Sequence, residues 1–317
     1  MKVISIRCCL TSLVLFSSVL AFSEKLYDDF YHYAHFTALS ACITHGRLFE
    51  GPLNGGACDL NFCLNNKRNR EAEIVKVKKA TQDEIGTGFI TLDKKNKQII
   101  VSFRGSTSAT DWASDLQMYP VDYHSISKLK GTNKCHDCKV HYGFYRDLGK
   151  ISNSIIKPVD ELFAKYPDFK LIVVGHSLGG ALATLVGIEF RVKGYEPLVI
   201  AYGCPKLMNS QLAAWVNKIF KVDNLADKIN SGEDIDWGLI RIVHEDDYVP
   251  MLPPSFEHAG LEFYIKRKDL PHKYSDIDFL GSKEVIINEH NNKNVWDLLN
   301  GYEHRNYFLT INKCENF

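Results

Sequence analysis

Residues 169–180 read Phe-Lys-Leu-Ile-Val-Val-Gly-His-Ser-Leu-Gly-Gly, and this stretch restricts the fold more than any other in the chain. Leu171 to Val174 is a short apolar run rich in β-branched residues, the pattern of a strand buried on both faces. Gly175-His176-Ser177-Leu178-Gly179 fits G-x-S-x-G, and Ala181 to Val186 starts a helix. Strand, sharp turn and helix form the setting in which that motif lifts a serine hydroxyl clear of a sheet. The serine then takes a strained backbone, and a Cβ on its neighbours would clash. Gly175 and Gly179 meet that need, and Gly180 lets the helix pack close to the strand. The same glycines would also serve an ordinary strand-to-helix turn. The buried strand before them and the small-residue helix after them favour Ser177 as a nucleophile.

Periodicity elsewhere extends the picture. Glu24 to Thr44 has apolar residues at helical spacing, and residues 54–70 read as loop. Glu73 to Lys78 alternates like an edge strand with lysines outward. Glu84 to Leu92 and Lys97 to Phe103 read as strands joined by a hairpin turn. Gly143 to Tyr166 carries one apolar stripe and predicts a single long helix. Leu198 to Gly203 and Leu239 to Val243 read as strands, Ser210 to Phe220 as a helix, and Leu261 to Ile265 as a late strand. Asp223 to Asp236 is polar and reads as an inserted loop. Strands alternating with helices from residue 98 to 243 imply an α/β fold, a mainly parallel sheet with helices on both faces. No repeat or low-complexity linker divides the chain, so residues 24–317 are expected to form one domain.

The first 23 residues resemble a secretory signal peptide. Lys2 and Arg7 supply positive charge, Cys8 to Leu20 is apolar, and Ala21-Phe22-Ser23 offers small residues for cleavage after Ser23. An uncleaved anchor is the rival reading. The 317 residues carry 38 basic and 38 acidic side chains, and cleavage would leave a net charge of −2. Nothing in that balance points to nucleic acid. A secreted, extracellular protein should pair its cysteines. Seven remain after the leader. Close spacing suggests Cys58–Cys63 and Cys135–Cys138 as loop clips, with Cys42–Cys314 tying the chain ends and Cys204 left as a buried thiol. Cys135-His136-Asp137-Cys138 also fits half a zinc site or a redox pair, but no second Cys/His pair matches it. Neither metal nor cofactor is expected, and no obligate protein partner is evident.

A serine hydroxyl needs a base to take its proton and a carboxylate to orient that base. On an α/β sheet these groups lie just past the carboxyl ends of strands. The strand ending at Val243 runs into His244-Glu245-Asp246-Asp247, so the acid is Asp246 or Asp247. Downstream histidines are His258, His272, His290 and His304, and spacing favours His304, which has aromatic neighbours. His176 reads as structural. An oxyanion on the substrate would need two donors: the N–H of Leu178, and Ser106 in the turn Phe103-Arg104-Gly105-Ser106.

Phe103-Arg104-Gly105-Ser106, Gly175 to Gly180, and Asp247-Tyr248-Val249-Pro250 followed by Leu252-Pro253-Pro254 together resemble the secreted class 3 lipases of fungi. Val140-His141-Tyr142-Gly143-Phe144 matches a further segment of that family. The resemblance spans roughly residues 26 to 314. It implies an α/β-hydrolase variant, with Ser177 as nucleophile, Asp247 as acid, His304 as base, and Ser106 and Leu178 as oxyanion donors. The three disulfides also resemble the family pattern. Two features depart from it. Residues 223–236 run longer than usual, and Cys204-Pro205-Lys206 stands where the family often has a small residue followed by Pro-Arg.

In such lipases a short helix after the oxyanion serine acts as a lid. Ala109, Trp112, Ala113 and Leu116 fall at i, i+3, i+4 and i+7, a narrow apolar face suited to a lipid–water interface. The expectation is a triacylglycerol lipase acting on ester lipids. The alternatives are an esterase on soluble or feruloyl-type esters, or a phospholipase A. An inactive lipid-binding relative is a reading of a different class.

Overall fold

Strands rich in apolar residues along their whole length must be covered on both faces, and four strands buried at nearly every position meet at the centre of this protein. The computed structural model describes residues 22–80, 86–105, 119–127, 135–284 and 300–315. In chain order its elements are α1 (Glu24–Cys42), β1 (Gly51–Pro52), α2 (Asn61–Asn65), β2 (Ala72–Lys78), β3 (Gly88–Asp93), β4 (Gln98–Phe103), β5 (Pro120–Asp122) and β6 (Lys139–His141). There follow α3 (Tyr142–Ile151), α4 (Lys157–Lys165), β7 (Lys170–His176), α5 (Leu178–Val192), β8 (Leu198–Tyr202), α6 (Ser210–Ile219), α7 (Val222–Asn230) and β9 (Gly238–His244). The chain ends with β10 (Leu261–Ile265), β11 (Ile277–Gly281), α8 (Tyr302–Arg305), β12 (Asn306–Tyr307) and β13 (Leu309–Thr310).

Among the described residues, nine strands form one sheet in the order β1-β2-β3-β4-β7-β8-β9-β10-β11. Strands β4, β7, β8, β9 and β10 run parallel, and antiparallel strands close both sides. Side chains alternate along a strand, so neighbours on β8 face opposite ways. A Cβ on Gly187 of α5 would fall 2.3 Å from Val199, and one on Gly180 would fall 3.5 Å from the Cβ of Ala201, so α5 covers the face bearing Val199 and Ala201. The hydroxyl of the intervening-face residue Tyr202 donates to the Phe30 carbonyl of α1 at 2.7 Å. Helices therefore cover both faces.

Four expectations change, the first being that the loop read over 54–70 holds the short helix α2. The single helix over 143–166 is instead α3, a π turn at Ser152–Ile156 and α4. Pro158 lacks the N–H that an uninterrupted ladder needs there. The expected loop after Asp223 holds a helix, α7, whose Val222, Leu225 and Ile229 are buried at spacings of three and four residues while Asp223, Asp227 and Lys228 stay exposed. Strand β2 is not the outermost strand: β1 pairs with its first half, Gly51 opposite Ile74 and Pro52 opposite Glu73.

Disulfides join Cys42 to Cys314, Cys58 to Cys63 and Cys135 to Cys138. Cys204 is a buried free thiol, and burial pushes it up to about 12. At the other end, Phe22 is 3% exposed and its ring packs within 4.9 Å of the rings of Phe263 and Tyr274. Ser23 is the N-cap of α1, with its hydroxyl oxygen accepting from the Leu26 N–H at 3.2 Å. Both residues belong to the folded body. Glu189, fully buried on α5, accepts hydrogen bonds from the Tyr123, Ser125 and Ser127 hydroxyls and from the Ser127 N–H. It pins the segment that follows β5 to the helix after Ser177.

Candidate active site

Ser177 stands at the carboxyl end of β7 with φ 55° and ψ −126°. A non-glycine residue there is strained by about 1–3 kcal/mol, so its surroundings must hold it. They do so by close approach. A Cβ on Gly175 would lie 2.1 Å from the Gly179 carbonyl oxygen, and one on Gly179 would lie 2.5 Å from that of Phe103. The Ser177 N–H donates to the Tyr202 carbonyl at 2.9 Å. A Cβ on Gly105 would lie 3.3 Å from the Cβ of Ser177, so the Phe103-Arg104-Gly105 turn is pressed against the serine. Leu178 is the first residue of α5, and a helix's first N–H groups have no acceptor within the helix. Ser106 and the expected lid residues Ala109, Trp112, Ala113 and Leu116 lie outside the described residues.

His304 reaches Ser177 from α8. Its Nε2 lies 3.0 Å from Ser177 Oγ, and its Nδ1 lies 2.9 and 3.1 Å from the two carboxylate oxygens of Asp247. Of the two candidate acids, Asp246 is exposed, while Asp247 is 1% exposed and turned inward. The other described candidates for the base, His258 and His272, point elsewhere. His258 Nε2 bonds to the Pro250 carbonyl, and His272 Nδ1 accepts from the Phe308 N–H. His290 lies outside the described residues. Among the described residues, no group of three or more His, Cys, Asp or Glu side chains is placed to hold a metal ion.

Asp247 has further donors that spacing did not reveal. The Val249 N–H donates to it at 3.0 Å, and the Tyr307 hydroxyl donates to its other oxygen. Burial works to raise the Asp247 carboxyl, but His304, Tyr307 and Val249 together hold it below the ordinary carboxylate value. Burial, then Asp247, pushes the Tyr307 hydroxyl well up. His176 also enters the site: its Nε2 lies 2.6 Å from the His304 carbonyl oxygen. Burial first, and His304 next, lower it to about 3. His244, at the end of β9, meets the Glu303 carbonyl with Nδ1 and the Arg267 carbonyl with Nε2, both at 2.8 Å. Nothing in the local sequence pattern marks Tyr307 or His244 for these contacts.

With Nδ1–H directed at Asp247, the lone pair of His304 Nε2 faces the serine hydroxyl. The arrangement can move the serine proton onto the ring and hold the imidazolium beside a carboxylate. A strained serine at the end of a parallel strand, backed by such a pair on a sheet covered on both faces, defines a serine hydrolase of the α/β-hydrolase fold.

Residues 100–257 match the model of the family lipase (class 3). The chain is 33% identical over 319 residues to the putative lipase LIH1 of Saccharomyces cerevisiae, covering 94% of this chain and 97% of that protein. It is 31% identical over 182 residues to the secreted mono- and diacylglycerol lipase A of Penicillium cyclopium, spanning 56% of this chain and 51% of that enzyme. The structure of the nonglycosylated LIP2 lipase of Yarrowia lipolytica superposes with a TM-score of 0.76 at 26% identity, covering 93% of this chain and 98% of that one. The chain belongs to the class 3 lipase family and is a lipase, a serine ester hydrolase.

Proposed function

We propose that this lipase cleaves triacylglycerol through an acyl-enzyme on Ser177, with His304 as base, Asp247 as its partner, and Leu178 and Ser106 as oxyanion donors. The observation that carries the reading is the unbroken chain from Ser177 Oγ through His304 to the buried Asp247 carboxylate. Ser177 Oγ attacks the ester carbonyl carbon while its proton passes to His304 Nε2. The tetrahedral oxyanion rests on the Leu178 and Ser106 donors. Its collapse breaks the bond to the alcohol, which leaves with the proton from His304. Water repeats the sequence on the acyl-serine and releases the fatty acid.

Secretion is part of the same reading. Lys2, Arg7 and the apolar run to Leu20 have the order of a leader, three disulfides suit an oxidising compartment, and the Penicillium relative carries the name of a secreted enzyme. Among the described residues, no helix is long and apolar enough to cross a membrane.

The test combines labelling with turnover. Diethyl p-nitrophenyl phosphate should modify Ser177, as read by peptide mass. Ser177→Ala should lose labelling and about 10⁴-fold or more of turnover on emulsified trioctanoin and on dissolved p-nitrophenyl butyrate alike. Label on another residue overturns the assignment. Turnover of methyl ferulate or phosphatidylcholine without trioctanoin overturns the substrate.

A further inference from the structure

His304 is carried on α8, a helix of four residues. So short a helix has no stability of its own, so the place of the His304 ring depends on what grips its backbone. Two imidazoles do so. His176 Nε2 meets the His304 carbonyl at 2.6 Å, and His244 Nδ1 meets the carbonyl of the preceding residue, Glu303, at 2.8 Å. His176 is the last residue of β7, directly before Ser177, and His244 is the last residue of β9, just ahead of Asp247. The backbone of the base is thus tied to the ends of the two strands that carry the nucleophile and the acid.

His244 has a second tie, from Nε2 to the Arg267 carbonyl at 2.8 Å. A carbonyl oxygen only accepts, so each ring nitrogen must present an N–H. Only the doubly protonated imidazolium does that. The ring is fully buried, and the groups facing it can be named. The His272 ring lies 4.6 Å away; burial first, and His244 among other groups, lower it to about 4, and its Nδ1 is occupied by the Phe308 N–H, so it stays neutral. The Tyr307 ring lies 5.7 Å away, and its hydroxyl accepts the His244 backbone N–H while donating to Asp247. The Glu303 carboxylate is paired with Lys268 at 2.9 Å, and Arg267 Nε donates to the Asp269 carbonyl. Glu245 and Asp246 follow His244 in the chain, Asp246 exposed. Asp247, 1% exposed, lies one hydrogen bond beyond Tyr307.

We propose that His244 is a positioning residue for the lipase reaction. As an imidazolium it bridges the Glu303 and Arg267 carbonyls and, with His176, sets the base between Ser177 and Asp247. The inference rests on His304 being that base.

Histidine labelled with ¹⁵N in the full chain reads the bridge directly, with His244→Gln used to assign the signal. The expected result is a proton on both ring nitrogens of His244 at neutral pH; an unprotonated ring nitrogen there overturns the bridge. His244→Gln keeps one donor and loses the other. Its kcat on dissolved p-nitrophenyl butyrate should fall about 100-fold with KM unchanged, because the residue sets the base and does not touch substrate. An unchanged kcat in the folded variant overturns the positioning role. His304→Ala is measured alongside. Full turnover in that variant overturns the base assignment and the inference with it. An inactive His304→Ala beside an unaffected His244→Gln overturns the inference alone.

Discussion

Phe22 offers a sharp test of the proposed leader and of where it would be cut. Cleavage after Ser23 would discard a phenylalanine that is 3% exposed and a serine that caps α1. Cleavage after Ala21 keeps both, and Ala21 is itself a small residue suited to the position before the cut. The perturbation is Phe22→Ala in the full chain. Truncating a core phenylalanine costs about 3–5 kcal/mol, and the lower end applies at a chain end where neighbours can relax. The edge-on contact with Phe263 and the tilted contact with Tyr274, each at 4.9 Å, go with the ring. A loss of about 3 kcal/mol should lower Tm by about 5–10 °C in a domain of this size. The assay pairs intact mass of the purified protein with thermal unfolding of wild type and variant. The expected outcome is a mature N-terminus at Phe22 and a clear drop in Tm. A mature N-terminus at Glu24 with identical unfolding of the two proteins would refute the reasoning, since the mutated residue would be absent from both.

Three further outcomes follow from the site and its supports. The Asp247 carboxyl is held below its ordinary value, so its contribution to stability is present above about pH 4 and is lost as pH falls through the folded value. Asp247→Asn should therefore flatten the acid limb of the urea midpoint against pH while removing most turnover; an unaltered limb contradicts the electrostatic account. The Cys42–Cys314 bridge closes a loop of 272 residues, and Cys314→Ser should cost about 5 kcal/mol if chain entropy dominates. A urea midpoint shifted by less than the loss in a Cys58→Ser, Cys63→Ser protein would count against that. The apolar spacing of Ala109, Trp112, Ala113 and Leu116 predicts that Trp112→Ser weakens hydrolysis of emulsified trioctanoin about tenfold or more while sparing dissolved p-nitrophenyl butyrate. Equal losses on both substrates would make Trp112 a packing residue.

What could be read in the chain depended on how far apart the informative residues lie. The turn at Ser177 is legible because its whole signal, a buried strand, flanking glycines and a small-residue helix, occupies consecutive positions. Helix α7 carried the same kind of signal, yet Val222, Leu225 and Ile229 were masked by the charged residues between them, and only burial shows which face counts. The choice among histidines is of another kind. His258 and His272 are as polar and as buried as His304, and only the path of the chain decides which ring comes within 3.0 Å of Ser177. Tyr307 and His244 lie further still from any local rule, because each acts by meeting a backbone or carboxylate group some sixty residues away in sequence.

That separation bears on how such a site tolerates change. Ser177 and Asp247 follow strand ends while His304 sits on the short helix α8, and a shift of any one against the others opens the proton path. Residues that tie one support to another therefore matter as much as the packing beneath each. Tyr307 joins the segment after His304 to Asp247, and His176 joins the turn at Ser177 to the His304 backbone. Each tie is a direct hydrogen bond between elements of the site. A substitution deep in β8 that moves β7 and β9 together leaves these ties intact and should reduce stability before it reduces turnover. Loss of a tie should do the reverse. Measuring kcat and urea midpoint side by side for Tyr307→Phe and Val199→Ala tests that order: Val199, within β8, lies under α5, where a Cβ on Gly187 would fall within 2.3 Å of it. If Val199→Ala lost turnover in proportion to Tyr307→Phe, the geometry of the site would be set by the core and not by the ties that cross above it.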